Sequence, residues 1–428
     1  MVDSGSDFLA LAAEYDADFN PSLPPIVIER GQGATLVDGD GHETIDLSDI
    51  IASVGHCHPR HVAALQEAVT QLITGKGGLT NPARSKLFEK LAALTPADLN
   101  KVFLATSGSE VCDWAIRIAR RAKGRHEILS FWGGVYGRTY GAMSLNGLSR
   151  RKRRFGPLMP GTIYAPYPYC YRCPFGKQLE SCNYFCIDYL DLVIDAEGTD
   201  DLAALIIEPY LGVGGIVFPP AGYLTRLQVW AAERDILFVL DEIQASFGRT
   251  GKMFALEWEG LEPDILCLGK GLGGGVSIAA LITSAEIMAS LAPGELSGGN
   301  GGNYLACASS LSVIDIIEEE ELVEHSRRIG DYFLEHFKSW QEQYSVIGDV
   351  RGQGLALAIE FVKDRESKEP FVEIAGQISR AAYAKGVYLP ATGHILSIRP
   401  PLVISEQQAA RAADIIEQTL KEILDCSF

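Results

Sequence analysis

The stretch that decides the fold is Ile236-Leu-Phe-Val-Leu-Asp-Glu-Ile-Gln244. Its first five residues are apolar and lead into a carboxylate, Asp241, which is typical of a buried parallel strand with chemistry at its C-terminal end. A second run, Asp264-Ile-Leu-Cys-Leu268, leads in the same way to Lys270. The two runs predict adjacent strands that present Asp241 and Lys270 at the same edge of one sheet.

Asp241 and Lys270 together suit pyridoxal phosphate. The lysine amine can form a Schiff base with the aldehyde, and the carboxylate can keep the pyridine nitrogen protonated, so that the ring accepts electrons. Either residue alone is an ordinary observation, because most lysines and aspartates lie at the surface. The pair makes a pyridoxal phosphate enzyme the leading hypothesis.

The segments around this pair, residues 241–254 and 263–274, resemble the class III (ornithine/4-aminobutyrate type) aminotransferase family, and the resemblance extends over residues 24–424. It implies an α/β protein of fold type I. The large domain has a mostly parallel seven-stranded sheet flanked by helices, and the small α+β domain is built from N- and C-terminal segments. The implied boundaries are 1–55 for the N-terminal part of the small domain, 56–305 for the large cofactor-binding domain and 306–428 for the C-terminal part of the small domain.

A phosphate site is predicted at Thr106-Ser-Gly-Ser-Glu110, which follows a short apolar run and precedes a helical repeat. Ser107 with Glu110 fits a capping box, which places the free N–H groups of a helix N-terminus at the end of a strand. By the resemblance, Gly108 and Ser109 hold the cofactor phosphate.

The resemblance implies two more contacts to the cofactor. Glu208 follows the apolar run 203–207 and is expected as a catalytic glutamate near the cofactor and the reacting amine. Gln244 is expected to hydrogen-bond the cofactor's phenolic oxygen. A helical pattern between Glu208 and Asp241 predicts a right-handed βαβ unit.

The sequence departs from the family pattern at several outer positions. The family's ring-stacking aromatic falls on Val135 and its histidine on Tyr136. Either Tyr136 or Trp132 takes the place of the stacking aromatic, or the cofactor is held more by its other contacts. The threonine that reaches the neighbouring subunit's cofactor phosphate falls on Gly299, and the adjacent aromatic on Asn300. The segment still implies a homodimer with shared active sites.

The substrate-binding region also departs from the family pattern. The family's carboxylate-binding arginine falls on Ser397. Arg399 lies two residues further on, and on a strand it would face the same side. Arg399 is therefore either a surface ion-pairing residue or a replacement for the missing arginine.

Amino transfer between an amino acid or amine and a keto acid is the expected reaction, since it is the default of the family. Because the substrate-binding positions depart from the family pattern, two alternative functions remain. One is an amino-acid racemase or epimerase, and the other is a lyase acting on an amine that bears a phosphate or phosphonate. The basic run Arg150–Arg154 is either a solvated loop or a group that steers such an anion.

Two sets of residues have the side chains of metal ligands. Four cysteines follow the spacing C-x2-C-x8-C-x3-C and could hold zinc or an iron–sulfur cluster, although free thiols packing a loop are the preferred interpretation: Cys170, Cys173, Cys182 and Cys186. His56 and His58 precede Pro59 without a third ligand nearby, so they are expected to serve as turn and capping groups. No metal site is expected.

Composition limits the partners and the compartment. A net charge of −18 disfavours nucleic acid and acidic membranes. Apolar runs stay short of the ~18 residues of a membrane span, and the N-terminus lacks the basic-then-apolar order of a secretory signal. Nine cysteines without such a signal favour reduced thiols, and a cytoplasmic enzyme is expected.

Overall fold

The fold is given by a computed structural model that describes residues 5–18, 20, 26–75 and 79–425. In chain order, its helices are α1 (Gly5–Tyr15), α2 (Pro59–Gln71), α3 (Pro82–Leu94), α4 (Gly108–Lys123), α5 (Tyr140–Leu145), α6 (Leu179–Cys182), α7 (Phe185–Glu197), α8 (Tyr223–Glu233), α9 (Ala285–Met288), α10 (Tyr304–Glu319), α11 (Leu322–Gln343), α12 (Val372–Ala384) and α13 (Glu406–Asp425). Short 3-10 helices occupy Ser149–Arg151, Cys170–Arg172, Ala255–Trp258 and Lys270–Gly273.

The strands are β1 (Ile28–Gln32), β2 (Thr35–Asp38), β3 (Glu43–Asp46), β4 (Lys101–Ala105), β5 (Glu127–Phe131), β6 (Thr162–Ala165), β7 (Leu202–Ile207), β8 (Leu237–Asp241), β9 (Ile265–Leu268), β10 (Ala279–Thr283), β11 (Ile347–Gln353), β12 (Ala356–Phe361), β13 (Val387–Tyr388), β14 (Ala391–Thr392) and β15 (Ile395–Ile398). None of the helices in the described ranges is both long and apolar enough to cross a membrane.

The chain divides into two compact units. The central unit is Arg60–Glu324, and the terminal unit combines Met1–Pro59 with His325–Phe428. These limits differ from the sequence-based boundaries of 55/56 and 305/306. The central unit continues through residue 324 because α10 packs against α3, which belongs to the same unit.

Strands of the described central unit form one seven-stranded sheet in the order β4-β10-β9-β8-β7-β5-β6. β10 runs antiparallel to both of its neighbours, and the remaining neighbours are parallel. Residues of β7, β8 and β9 are buried throughout, as expected for strands covered on both faces. The predicted α/β class with a mostly parallel seven-stranded sheet is confirmed.

Helix α4 covers this sheet and fixes the position of its own N-terminus. Val111, Trp114, Ala115 and Ile118 recur at helical spacing and are buried, and the helix packs on β7, β8, β9 and β10. Two residues, 106 and 107, separate α4 from β4. A connection this short holds the first turn of α4 at the end of the strand.

The terminal unit contains two four-stranded sheets within the described residues, ordered β1-β2-β3-β13 and β11-β12-β15-β14. The first sheet joins both ends of the chain, because β3 pairs in parallel with β13. A small α+β domain built from N- and C-terminal segments is therefore what the chain forms.

Substituting Gly330 tests a close contact in the terminal unit. Gly330 lies in α11, where alanine would ordinarily favour the helix by about 1 kcal/mol. An added Cβ, however, would lie 2.1 Å from the backbone oxygen of Gly354. We expect Gly330→Ala to lower the free energy of unfolding by about 1–3 kcal/mol, measured by urea denaturation of the apoprotein.

The matched control is Gly376→Ala in α12. There the added Cβ would meet the Nη1 atom of Arg380 at 3.3 Å, which is the far end of a flexible side chain. We expect this variant to be neutral or up to about 1 kcal/mol more stable. Equal unfolding midpoints for the two variants would contradict the close approach of α11 to Gly354.

Candidate active site

Residues at the ends of four strands surround one cavity of about 260 Å³ in the central unit. β8 ends on Asp241, Glu208 follows β7 directly, and Lys270 follows β9 after one glycine. The fourth contribution is the N-terminus of α4, which follows β4. Since the C-terminal ends of parallel strands share an edge of the sheet, the strand pattern alone brings these groups together.

The cavity is lined by most of the residues predicted from the sequence: Gly108, Ser109, Val135, Tyr136, Glu208, Asp241, Gln244 and Lys270. Trp132 is 49% exposed and lies outside this lining. Gly299 and Asn300 are exposed and also lie outside it. Ser397 and Arg399 belong to the terminal unit, where Ser397 is buried in β15 and Arg399 follows the end of that strand.

Asp241 is a buried carboxylate with a donor at each oxygen. Its Oδ1 accepts a hydrogen bond from the backbone N–H of Ile243 at 2.9 Å. Its Oδ2 lies 3.6 Å from the Sγ of Cys112, whose S–H donates to it. Burial raises the pKa of Asp241 to about 6, against the opposing effects of the Ile243 amide, the Lys270 charge and the Cys112 thiol. The group is therefore largely ionised at neutral pH.

Glu208 is held by two backbone amides. Its Oε1 accepts from the N–H of Val135 and its Oε2 from the N–H of Gly212, both at 2.9 Å. Burial, followed by the nearby charge of Asp241, raises the pKa of Glu208 to about 8. A carboxyl group that titrates close to neutral pH can exchange a proton with a ligand in the cavity.

Lys270 lies at the start of a 3-10 helix with its backbone in the left-handed region, at φ 42°. A residue with a Cβ pays about 1–3 kcal/mol for such a conformation, which persists where the surrounding structure enforces it. Buried β9 precedes it and Gly271 and Leu272 are buried after it. The strained backbone places the lysine side chain at the cavity.

Tyr136 lines the cavity with its hydroxyl already engaged. The hydroxyl donates to the backbone oxygen of Ile206 at 3.0 Å, and the backbone N–H donates to Oδ1 of Asn146 at 2.8 Å. Burial raises the pKa of Tyr136 well above its usual value, so the phenol is neutral. Of the two aromatic residues considered for the position beside Val135, Tyr136 is the one at the cavity.

The turn before α4 differs in detail from the predicted capping box. Ser107 is the N-cap, and its hydroxyl accepts from the N–H of Glu110 at 3.3 Å, as expected. Glu110, however, reaches back to the N–H and hydroxyl of Thr106, both at 2.8 Å. The N–H groups of the first turn of α4, where Gly108 and Ser109 line the cavity, have no acceptor within the helix and suit an anion.

The structure adds lining residues that the sequence did not single out: Gly137, Arg138, Val213, Ile243 and Arg151, the last from the basic run 150–154. Arg138 stands in a segment that already matched the family, whereas no feature distinguished Arg151 from its basic neighbours. Burial, with the nearby charges of Arg150 and Arg138, lowers the pKa of Arg151. Two arginines therefore line the cavity, which favours an anion-steering role over a purely solvated loop.

The four loop cysteines surround a separate small cavity of about 30 Å³. Two groups of three described residues bring their ligand atoms within 4.8 Å of one another, and neither group contains any of these cysteines. Burial raises the pKa of Cys170 to about 11 and that of Cys186 to about 12, so these thiols are protonated. The interpretation of these residues as thiols packing a loop stays a prediction.

The two groups of described residues that satisfy that distance are Asp38, Asp40 and His42, and Asp46, Asp49 and His56. In the second group, His56 Nε2 contacts Asp46 Oδ2 at 3.0 Å, and Asp46 Oδ1 accepts from the amides of Ser48 and Asp49. His56 therefore has Asp46 and Asp49 close by, contrary to the expectation that no third ligand group lay near it. The role of His56 as a turn and capping group stays a prediction.

Comparisons with known proteins agree with this geometry. The family model "Aminotransferase class-III" matches residues 17–420. The chain is 38% identical to the leucine/methionine racemase of Thermococcus litoralis, over 93% of this chain and 91% of that protein. It is 36% identical to a probable 4-aminobutyrate aminotransferase of Bacillus subtilis, over 92% of both. A crystal structure of an (S)-enantioselective omega-transaminase from Thermomicrobium roseum matches with a TM-score of 0.93 at 29% identity, over 99% of this chain and 100% of that one.

The chain belongs to the class-III aminotransferase family. It is an enzyme, and its cofactor is pyridoxal phosphate. The family match supports amino transfer, the reaction predicted from the sequence, and the racemase relative shows that related chains of this scaffold also racemise amino acids.

The cavity of this class-III enzyme fits that cofactor. Oε1 of Gln244 is buried without a hydrogen-bond partner among the described residues, so a hydroxyl in the cavity would satisfy it. The buried charge of Asp241 suits a protonated ring nitrogen, and the first turn of α4 suits a phosphate. Together these groups match the phenol, the pyridine and the phosphate of one molecule.

Substituting Gly212 tests the contribution of Gln244. A Cβ on Gly212 would lie 2.3 Å from Oε1 and 2.5 Å from Cδ of Gln244, so alanine must displace the amide. We expect Gly212→Ala to weaken pyridoxal phosphate binding about two- to tenfold, as for one lost neutral hydrogen bond, and to shift the absorbance maximum of the bound cofactor. Equilibrium dialysis and absorbance spectra measure both, with Gly376→Ala as the control. An unchanged spectrum would mean that Gln244 does not contact the cofactor.

Proposed function

We propose that this enzyme transfers the amino group of an amino acid to a keto acid, with Lys270 as the group that moves the proton at the reacting carbon. The observation that carries the proposal is the convergence of Lys270, Asp241, Glu208 and Gln244 on one cavity at the first turn of α4. Pyridoxal phosphate supplies an aldehyde that captures the substrate amine and a ring that takes up electrons when a bond at the neighbouring carbon breaks.

Each residue has a proposed role that follows from its contacts. Asp241 faces the ring nitrogen and keeps it protonated. Gln244 binds the phenolic oxygen, and Gly108 and Ser109 bind the phosphate. Glu208, which titrates near neutral pH, lies beside the reacting amine. Val135 and Tyr136 complete the lining around the ring.

The substrate is proposed to be an amino acid whose carboxylate meets a guanidinium group. Arg138 and Arg151 both line the cavity, and a guanidinium fork binds a carboxylate with two parallel hydrogen bonds. These arginines belong to the same unit as Lys270. They therefore offer an alternative to Arg399 for the position that the family fills with arginine and this chain fills with Ser397.

Racemisation is the second candidate, and the similarity to the leucine/methionine racemase is the observation that favours it. The same residues serve both reactions. If Lys270 removes the proton from one face of the carbon and a proton is returned to the opposite face, the amino acid is racemised. If Lys270 instead passes the proton to the cofactor, water releases the keto acid and the amino group stays with the cofactor.

Mixing the holoenzyme with single L-amino acids, without a keto acid, separates the two reactions. Amino transfer predicts one equivalent of keto acid per active site and a lasting loss of the yellow absorbance, which an added keto acid restores. Racemisation predicts unchanged absorbance and accumulation of D-amino acid far beyond one equivalent, which would overturn the transaminase proposal. Chiral chromatography and absorbance measure both outcomes.

Lys270→Ala is the matched variant for this experiment. Removing a positioned general base typically costs about 10²–10⁴-fold in rate. We expect the variant to bind the cofactor and the amino acid but to form neither keto acid nor D-amino acid at the wild-type rate. Lys252→Ala removes a lysine that is not part of the cavity lining and should retain the wild-type rate.

We also propose a cytoplasmic homodimer in which each chain completes the other's site. Gly299 and Asn300 are exposed and outside the cavity of their own chain, in keeping with a contact to a neighbouring subunit. The eight cysteines that the structure describes are free thiols, in keeping with a reducing compartment.

Gly299→Thr tests the shared site by restoring the hydroxyl that the family has there. A Cβ at Gly299 meets nothing within 4 Å in its own chain, so the first added carbon causes no clash there. We expect about tenfold slower release of pyridoxal phosphate, as for one added hydrogen bond to a charged group, measured after dilution into a phosphate-free buffer. Gly299→Ala adds the Cβ without the hydroxyl. If the threonine and alanine variants release the cofactor at the same rate, Gly299 does not face a cofactor phosphate.

A further inference from the structure

Two buried cysteines neighbour Asp241, Cys112 through a side-chain contact and Cys267 as its partner on the adjacent strand. Cys112 belongs to α4, Cys267 belongs to β9, and both are fully buried. The Sγ of Cys112 is 3.6 Å from Oδ2 of Asp241. Interaction with the thiol of Cys267, followed by burial, raises the pKa of Cys112 well above its usual value. Cys112 therefore connects the helix that begins at the phosphate turn with the carboxylate at the end of β8.

The donor set of Asp241 shows why this thiol matters. One oxygen is held by the backbone amide of Ile243, which no side-chain substitution there removes. The other oxygen receives the Cys112 S–H, which is the side-chain donor that the structure records for it. Each carboxylate oxygen accepts about two hydrogen bonds, so both retain capacity for a ring nitrogen.

We propose that Cys112 is a positioning residue that keeps Asp241 ionised and oriented, so that the shared proton stays on the pyridine nitrogen of the cofactor. The inference rests on the proposed contact between Asp241 and that nitrogen. It adds a residue of α4, outside the cavity lining, to the groups that control the electron-accepting strength of the ring.

The direction of the effect follows from simple electrostatics. A donor to a carboxylate stabilises its charged form and so lowers its affinity for a proton. When a carboxylate and a pyridine share one proton, lowering the carboxylate's affinity leaves the proton on nitrogen. Removing the donor moves the proton toward Asp241 and weakens the ring as an electron acceptor. In agreement, the Cys112 thiol and the Lys270 charge both lower the pKa of Asp241 against the effect of burial.

The experiment compares Cys112→Ala with Cys112→Ser in the holoenzyme. Alanine removes the donor, whereas serine keeps a hydroxyl donor, which must move closer to Asp241 than the thiol because its C–O bond is shorter. Pyridoxal phosphate labelled with ¹⁵N in the ring reports protonation directly through its ¹⁵N chemical shift. We expect Cys112→Ala to move the shift toward that of unprotonated pyridine and to lower kcat about tenfold, as for one lost bond to a charged group, while Cys112→Ser retains the wild-type shift and rate.

Cys307→Ala is the control for loss of a buried thiol. Cys307 is fully buried and donates to the backbone oxygen of Gly302, so its removal should leave the ¹⁵N shift unchanged. Thermal unfolding of each holoenzyme verifies that the variants are folded at the temperature of the measurement.

The experiment distinguishes failure of the role of Cys112 from failure of the role of Asp241. If both Cys112 variants keep the wild-type shift, or if serine moves it as far as alanine does, Cys112 does not act through its hydrogen bond and the inference is wrong. If the wild-type nitrogen is itself unprotonated, the proposed role of Asp241 fails instead. A shift restored by serine and lost in alanine supports both.

Discussion

The buried negative charge of Asp241 at the end of β8 is the interaction on which the rest of the site depends. A carboxylate removed from water is costly unless donors and an opposite charge compensate it. Here the compensation comes from the Ile243 amide, the Cys112 thiol and the nearby Lys270 amine. The cost of burial is what makes the site selective, because a ligand with a positively charged nitrogen relieves it and a neutral or anionic ligand does not.

Glu208 introduces a second carboxyl group at the same edge of the sheet, and its environment differs from that of Asp241. Both of its oxygens accept backbone N–H groups, yet burial and the charge of Asp241 keep its pKa near 8. Two like charges at short range favour one ionised and one protonated group. Asp241 therefore remains the charged partner, and Glu208 is the group able to exchange a proton. The distinction arises from surroundings, since the two side chains differ by one methylene.

The order of strands in the sheet explains why several residues of the site could be predicted from the sequence. β7, β8 and β9 are adjacent and parallel, so the residues that follow them, Glu208, Asp241 and Lys270, meet at one edge. A run of apolar residues identifies such a strand, and the first polar residue after it identifies the edge. The turn before α4 is equally local, because a cap and a helix repeat lie within a few residues of each other in sequence.

The sequence by itself determined the fold class, the cofactor and the strand-end residues Asp241 and Lys270, because these depend on short-range periodicity and on motif spacing. The tertiary structure alone decided that Arg151 lines the cavity and that Cys112 supports Asp241. Cys112 looks like any apolar position of a buried helix face, and Arg151 looks like any member of a basic loop. The role of Cys112 depends on a 3.6 Å approach to Asp241 across 129 positions of sequence, and the place of Arg151 depends on how its loop folds against the cavity. Local pattern carries no information about either.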